Sequence, residues 1–326
     1  MSQASMVTPA VGQPRKSSVG ERLRQNLIRL NKFKFYYLLA LPGIIYFLIF
    51  HYGPMFGVLI AFKDISPFDP PIAILTEPFV GLKNFNKFFN SFFFWNVVWN
   101  TVWISFLKLV WVFPMPIVLA LLINEVRSTW FKRAVQTISY LPHFLSMVIV
   151  VGLVQSMLTV QGGLFNQIRV ALGYETHAFI ADPNYFRAIL VSTTLWQGLG
   201  WGTILYLAAM ANINPNLYEA ASIDGANRFQ QARHITLPGI AYVVAILLIF
   251  EIGNLLNAGF EQVLLLYSPT VYEVGDIIDT YVYRSGLQNL EYSFATAVGF
   301  FKAVLAMILL LGANKIAHRL GQPGIW

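Results

Sequence analysis

The sequence predicts an all-α polytopic membrane protein of about six transmembrane helices. Three observations carry that expectation. Hydrophobic residues make up 56% of the 326-residue chain and charged residues only 11%, where a soluble domain carries about 25% charged. Apolar runs long enough to cross about 30 Å of hydrocarbon recur along the chain. Those runs are continuous rather than alternating, which argues against a β-barrel. There are no cysteines, so disulfides, iron–sulfur clusters and thiol catalysis are excluded.

A formal net charge of +7 would suggest nucleic acid in a soluble protein. Its placement gives it another meaning. Residues 1–34 hold Arg15, Lys16, Arg22, Arg24, Arg29, Lys32 and Lys34 against the single acid Glu21. That is a basic cytoplasmic tail beside anionic membrane lipid, with no nucleic acid involved. Within it Val19, Leu23, Leu27 and Leu30 recur at helical spacing among arginines. An interfacial amphipathic helix fits, and a solvated lead-in fits nearly as well. No apolar stretch of the signal-peptide kind follows the basic residues, so no cleaved leader is expected. Residues 1–34 are read as a tail and 35–326 as the transmembrane domain.

The first span is expected over about Phe35–Phe62, with Pro42, Gly53 and Pro54 breaking it. Residues 63–95 form an external segment rich in Pro, Phe and Asn. The second span covers about Val97–Ile123, with Lys108 near its middle and Pro114 and Pro116 kinking it. The third covers about Ala134–Leu158 and the fourth about Ala188–Asn212. In the fourth, Gly198 and Gly202 form a small-xxx-small pair suited to close helix packing. The fifth covers about Gly239–Tyr267 and the sixth about Tyr292–Ile316. Six spans put both termini on one side. Lys and Arg concentrate on that side, which makes it cytoplasmic together with the loop 213–238.

That loop contains a polar stretch of twenty residues between two long apolar ones, Glu219–Pro238, EAASIDGANRFQQARHITLP. Ala220, Ala221 and Ala226 favour helix, and Gly225 costs about 1 kcal/mol against alanine inside one. The expectation is a short helix, a bend at Asp224–Gly225, a second helix, and a stop near Leu237–Pro238. Glu219 and Asp224 are candidates to cap helix starts or to pair with basic groups on a partner.

Glu219-Ala220-Ala221, Gly225, Ile235, Leu237 and Pro238 together match the pattern EAA, three residues, Gly, nine residues, Ile-x-Leu-Pro. The stretch resembles the cytoplasmic signature loop of permease subunits in binding-protein-dependent ABC importers. Ala232-Arg233 departs from it, standing where bulky aromatics are frequent in that family. Residues 251–286 and 299–321 are similar to permeases that import oligosaccharides or polysaccharide fragments, including uronate-rich ones such as pectin and alginate fragments. The similarity extends over most of residues 30–321. It implies a type I importer permease fold, multi-pass in the bacterial cytoplasmic membrane. It implies that loop 213–238 is a coupling helix seated in an ATPase subunit. A second homologous permease would complete the pathway, and an extracytoplasmic binding protein would deliver the sugar. Two copies of the ATPase would bind ATP and Mg, leaving this chain non-catalytic and without a cofactor.

Ionisable groups at mid-span are costly and usually face a cavity or a partner. Lys108, Glu251, Lys302 and, nearer the outer face, Glu261 are such groups. On a continuous helix Glu251, Asn254, Asn257 and Glu261 fall within an arc of about 120°. One reading makes that stripe the wall of a translocation path, with Asn and carboxylates bonding sugar hydroxyls and lysine suiting a carboxylated sugar. The other pairs Glu251 or Glu261 with Lys302, or with the second permease, for structure alone. Trp95, Trp99, Trp103, Trp196 and Trp201 suit packing or interface anchoring better than sugar stacking, and His143 suits packing better than ligation.

The GxxxxGK[ST] phosphate loop is absent, as are HExxH and GxSxG, and five scattered histidines give no metal cluster. Two competing readings stand beside the importer. A secondary transporter would couple protons through Glu251 or Glu261. A membrane-embedded glycan-processing enzyme would need a titratable pair, for which Glu273, Asp276, Asp279 and Glu291 are the candidates.

Overall fold

Apolar segments in a bilayer find no water for their backbone groups and must close their hydrogen bonds within helices. The computed structural model, which describes residues 32–319 and Gly321, does this along its length. Among the described residues the only β contact is an isolated antiparallel bridge between Lys63 and Phe79. The interfacial helix expected between Val19 and Phe33 lies outside the described residues, its last two positions excepted.

The chain divides into two units, residues 1–57 and 58–326. In the first, helix α1 (Lys34–Phe47) continues through a π turn, Leu48–Tyr52, that closes with the Gly53 N–H on the Leu48 carbonyl. Pro42 lies inside α1 and Pro54 follows the π turn, and neither ends the helical run as expected. The widened turn shifts the hydrogen-bond ladder just ahead of a residue that has no N–H to contribute.

In the second unit, α2 (Phe94–Trp111) and α3 (Pro114–Glu125) form the second span and join immediately before Pro114. The third span is not one helix. α4 (Thr129–Tyr140) and α5 (Met147–Leu158) meet at 101°. A tight turn, Leu141–Phe144, carries Pro142, and extended Ser146 then caps α5 by accepting from the Ile149 N–H. α6 (Pro183–Ala211) is the fourth span, capped by Asp182. The polar loop forms α7 (Pro215–Ile223) and α8 (Arg228–Gln231). α9 (Leu237–Gly253) and α10 (Phe260–Leu266) share the fifth span, and α11 (Tyr292–Arg319) is the sixth.

Four stretches are long and apolar enough to cross a membrane: Lys34–Phe62, Phe94–Glu125, Arg228–Gly253 and Tyr292–Arg319. The bent α4–α5 pair makes a fifth if counted as one span. α6, at 29 residues, has the length, but Thr, Gln, Gly and Trp lower its hydropathy. The packing explains why. α6 lies against α2, α3, α4, α5 and α9, so much of its surface meets protein rather than lipid. Phe186 and Leu190 join Ile104, Val263 and Ile277 in one core, and Tyr206 and Met210 join Ala120 and Ile240 in another.

Close approach on α6 is made by Gly200 and Gly202, not by the expected Gly198–Gly202 pair. A Cβ on Gly200 would strike the Ser139 carbonyl, and one on Gly202 would lie 2.9 Å from Pro116 Cγ. At Gly198 nothing lies within 4 Å.

Candidate coupling loop and polar groups inside the membrane

The loop folds as a braced pair of short helices. Asn214 caps α7 by accepting from the Asn216 N–H at 3.0 Å. α7 ends where Gly225 takes φ +79°, a left-handed value that glycine adopts without Cβ strain. The Ala226 N–H then reaches back to the Ala221 carbonyl at 2.9 Å. Asn227 and Gln230 form a reciprocal capping box that starts α8. Two side-chain ties hold the halves together. Gln231 Nε2 donates to Ser222 Oγ at 3.0 Å, and the Tyr218 and buried Thr236 hydroxyls lie 2.9 Å apart.

Two expectations for this loop are corrected. Glu219 sits inside α7 and Asp224 at its carboxyl end, so the caps are Asn214 and Asn227. The chain also does not stop at Leu237–Pro238. A π turn over Ala232–Thr236, which includes Ile235, closes with the Leu237 N–H on the Ala232 carbonyl. α9 follows directly with Pro238 in its first turn, so Arg228–Gly253 is one 26-residue helical stretch. The ladder shift ahead of Pro54 recurs here ahead of Pro238.

Glu219 and Ala220 lie on the loop's exposed surface, and Ala221 is half-buried. The sequence reading missed its apolar projections: Ile223 is 86% and Phe229 73% exposed. A large apolar side chain at the tip of a polar loop was the available signal. Arg228 forms an ion pair with Glu125 at the end of α3, fastening the loop to the second span.

Inside the membrane the fifth span is broken. Asn254 caps the end of α9, a tight turn covers Leu255–Asn257, and Ala258 and Gly259 take φ +47° and +86° before α10 begins. The 120° arc assumed a continuous helix and does not survive this break. Glu251 belongs to α9, Glu261 to α10, and Asn254 and Asn257 to the join. Lys108 braces the break: its Nζ donates to the freed Ala258 carbonyl and to Gln262 Oε1, both at 2.9 Å. Gln262, itself buried, donates to the Leu190 carbonyl at 3.0 Å and accepts from Thr194 at 3.0 Å. One lysine thereby ties α2, α6 and α10 around an irregular backbone segment, the condition under which such segments persist at membrane depth.

Lys302 pairs with neither Glu251 nor Glu261. Its Nζ lies 2.7 Å from both Asp279 carboxylate oxygens and 3.0 Å from Asn257 Oδ1. Glu251 and Glu261 are exposed and make no hydrogen bond or ion pair among the described residues. Three of the four candidate acids, Asp276, Asp279 and Glu291, are engaged in ion pairs. Asp276 is locked bidentately to Arg284, Asp279 to Lys302, and Glu291 to Lys87 at 2.8 Å. Desolvation by burial pushes the Arg284 guanidinium down, but the hydrogen bonds and charge of Asp276, joined by Tyr267, together outweigh it and hold its pKa above the ordinary value. The aromatics mainly pack on one another: Trp99 stacks on Trp103 at 5.7 Å, and His143 on Trp201 at 4.4 Å.

Residues 112–322 match the protein family described as binding-protein-dependent transport system inner membrane component. The chain is 47% identical over 306 residues to the polygalacturonan/rhamnogalacturonan transport system permease protein YteP of Bacillus subtilis (strain 168), covering 94% of each protein. It is 46% identical over 297 residues to Protein LplB of the same organism, covering 91% of this chain and 92% of that one. A similar chain occurs in the crystal structure of a bacterial alginate ABC transporter in complex with alginate pentasaccharide-bound periplasmic protein. There the TM-score is 0.84 at 42% identity, over 91% of this chain and 98% of the other.

Proposed function

The chain belongs to the family of binding-protein-dependent transport system inner membrane components, and from that premise we infer that its cargo is a fragment of an acidic, uronate-rich polysaccharide. It is the permease subunit of an ABC importer, a multi-pass protein of the inner membrane. The observation that carries the cargo is similarity over nearly the whole chain to proteins named for polygalacturonan, rhamnogalacturonan and alginate. In our reading both termini face the cytoplasm. A second homologous permease completes the path, two ATPase subunits bind ATP and Mg, and an extracytoplasmic binding protein delivers the sugar.

Loop 213–238 is the ATPase contact in this reading, through Glu219, Ala220, Ala221, Asp224 and the bend at Gly225, with Ile235, Leu237 and Pro238 joining it to the membrane. Support comes from the unbroken helical stretch Arg228–Gly253. About 35 Å of helix separates Arg228 from Glu251. A push on the loop as the ATPases close therefore reaches Glu251 through one rod, and the break beyond Gly253 lets α10 respond separately.

The path groups we assign are Glu251, Asn254, Asn257 and Glu261, with Lys302 at its edge and Lys108 behind the wall as a brace. Asparagine amides and carboxylates bond sugar hydroxyls. Two exposed carboxylates, of which Glu251 is offset in part by the charge of Lys108, disfavour a tight stop for an acidic cargo within the membrane, which leaves recognition to the binding protein.

The test is ATP hydrolysis by the assembled complex with its cognate binding protein. Stimulation by oligogalacturonate or oligoalginate, and not by neutral oligosaccharides of equal length, is expected. Stimulation by neutral chains alone would overturn the cargo assignment.

A further inference from the structure

α3 presents Val118, Leu121, Leu122 and Glu125 at positions i, i+3, i+4 and i+7, a single helix face. Opposite it stand Phe229, Ala232, Arg233 and Leu237, which share one side of the Arg228–Gly253 stretch. Facing helix stripes normally interdigitate, and protein interiors leave few voids larger than a water. These two stripes instead enclose a cleft of ≈ 510 Å³. The short side chain of Ala232 leaves its wall open, and Leu122 stands 62% exposed beside it.

The cleft has two chemically different ends. Along α3 its wall is apolar for about 6 Å, from Val118 to Leu122. At the loop end it carries Glu125, Arg228 and Arg233. Glu125 and Arg228 neutralise each other as an ion pair. Arg233 makes no hydrogen bond or ion pair among the described residues, so the mouth carries one uncompensated positive charge.

We infer that this cleft binds one anionic phospholipid, an acyl chain lying along Val118, Leu121 and Leu237 and the phosphate meeting Arg233. Both walls belong to membrane-crossing stretches, so the apolar end opens where acyl chains are and the cationic end where headgroups are. Free phosphate would leave the apolar length unoccupied. A zwitterionic lipid would leave Arg233 without a net countercharge. An extended peptide would bring backbone donors and acceptors that the apolar walls cannot satisfy. The bound lipid would fill the joint between the second span and the coupling loop, where it would stiffen the loop's attachment.

The experiment uses the full complex in nanodiscs of phosphatidylglycerol or phosphatidylcholine with matched chains, followed by native mass spectrometry of retained lipid. Retention of one phosphatidylglycerol, and not phosphatidylcholine, is expected, unaffected by millimolar inorganic phosphate. Arg233→Gln removes a charge-assisted contact, and Ala232→Trp fills the cleft with the charge kept. Each should lower retention about tenfold. A photoactivatable leucine at Leu122 in the otherwise unaltered chain should crosslink to lipid. Equal retention of both lipids, displacement by phosphate, full retention in both variants, or a crosslink to another protein subunit would overturn the assignment.

Discussion

Gly225 makes the loop's bend depend on one residue type, and its surroundings separate backbone conformation from bulk. Its φ is +79°, and no heavy atom lies within 4 Å of where a Cβ would sit. A substituted side chain therefore meets open space and costs only what left-handed backbone costs an L-residue, about 1–2 kcal/mol. For a β-branched residue the conformation is a genuine outlier. One or two kcal/mol lowers the ratio of bent to unbent loop about 5- to 30-fold. The contacts that depend on the bend are the Ala226–Ala221 backbone bond at 2.9 Å and the Gln231–Ser222 tie at 3.0 Å. Gly225→Val should therefore insert normally but lose most sugar uptake per ATP hydrolysed in proteoliposomes carrying the assembled complex. Gly225→Asn, a residue that tolerates the left-handed region, should keep most of it. Parental uptake in the Val variant would refute the reasoning. Equal losses in Val and Asn would too, since bulk or polarity rather than φ would then be at fault.

Lys108→Met should lower thermal stability in detergent by about 1–3 kcal/mol, because it strips the Ala258 carbonyl and Gln262 of a charged donor; an unchanged melting temperature would remove Lys108 from the break. Asp279→Asn and Lys302→Met should be non-additive by about 0.5–3 kcal/mol in a double-mutant cycle, as directly contacting residues are, and additive losses would deny the pair a shared role. Glu251→Gln should change substrate-stimulated ATP hydrolysis, and identical affinity and stimulation would take Glu251 out of the path. At the amino-terminal end of α6, the Asn184 N–H, with help from His177, holds the Asp182 carboxyl below its ordinary value of 3.8. A depressed acid stabilises the fold above its unfolded pKa and loses that contribution as pH falls through the folded one. Amide exchange around Asp182 should therefore quicken only below about pH 3.8, and Asp182→Asn should remove that dependence.

Hydropathy and polarity were enough to locate the four long apolar stretches, the bent third pair and the loop, because length and average composition decide whether a segment crosses a bilayer. Gly225 was legible for a similar reason: an Asp-Gly step between alanine-rich and polar helical stretches has one natural conformation. Hydrogen-bond register was not legible. Pro42 and Pro238 read as stops, yet helices run through both, Pro238 behind a π turn that a residue count cannot reveal. The 101° bend of the third span needed Pro142 and the Ser146 cap to be read together. The break in the fifth span was hidden most deeply. Ala258 at φ +47° contradicts its own propensity and is supported by a lysine 150 positions away. Lys108 and Glu251 looked alike as charges in apolar runs, and only the fold separates the buried brace from the exposed carboxylate.

We infer that loop 213–238 joins this permease to its ATPase. It is tested most directly by mass spectrometry of what co-purifies with the chain from native membranes in mild detergent. An ATPase and a second six-span permease should come out with the parental chain, and the ATPase alone should be lost from Asp224→Lys or Gly225→Val. A chain recovered without an ATPase, under conditions that keep other transporters intact, would contradict it, as would an ATPase retained in full by both variants.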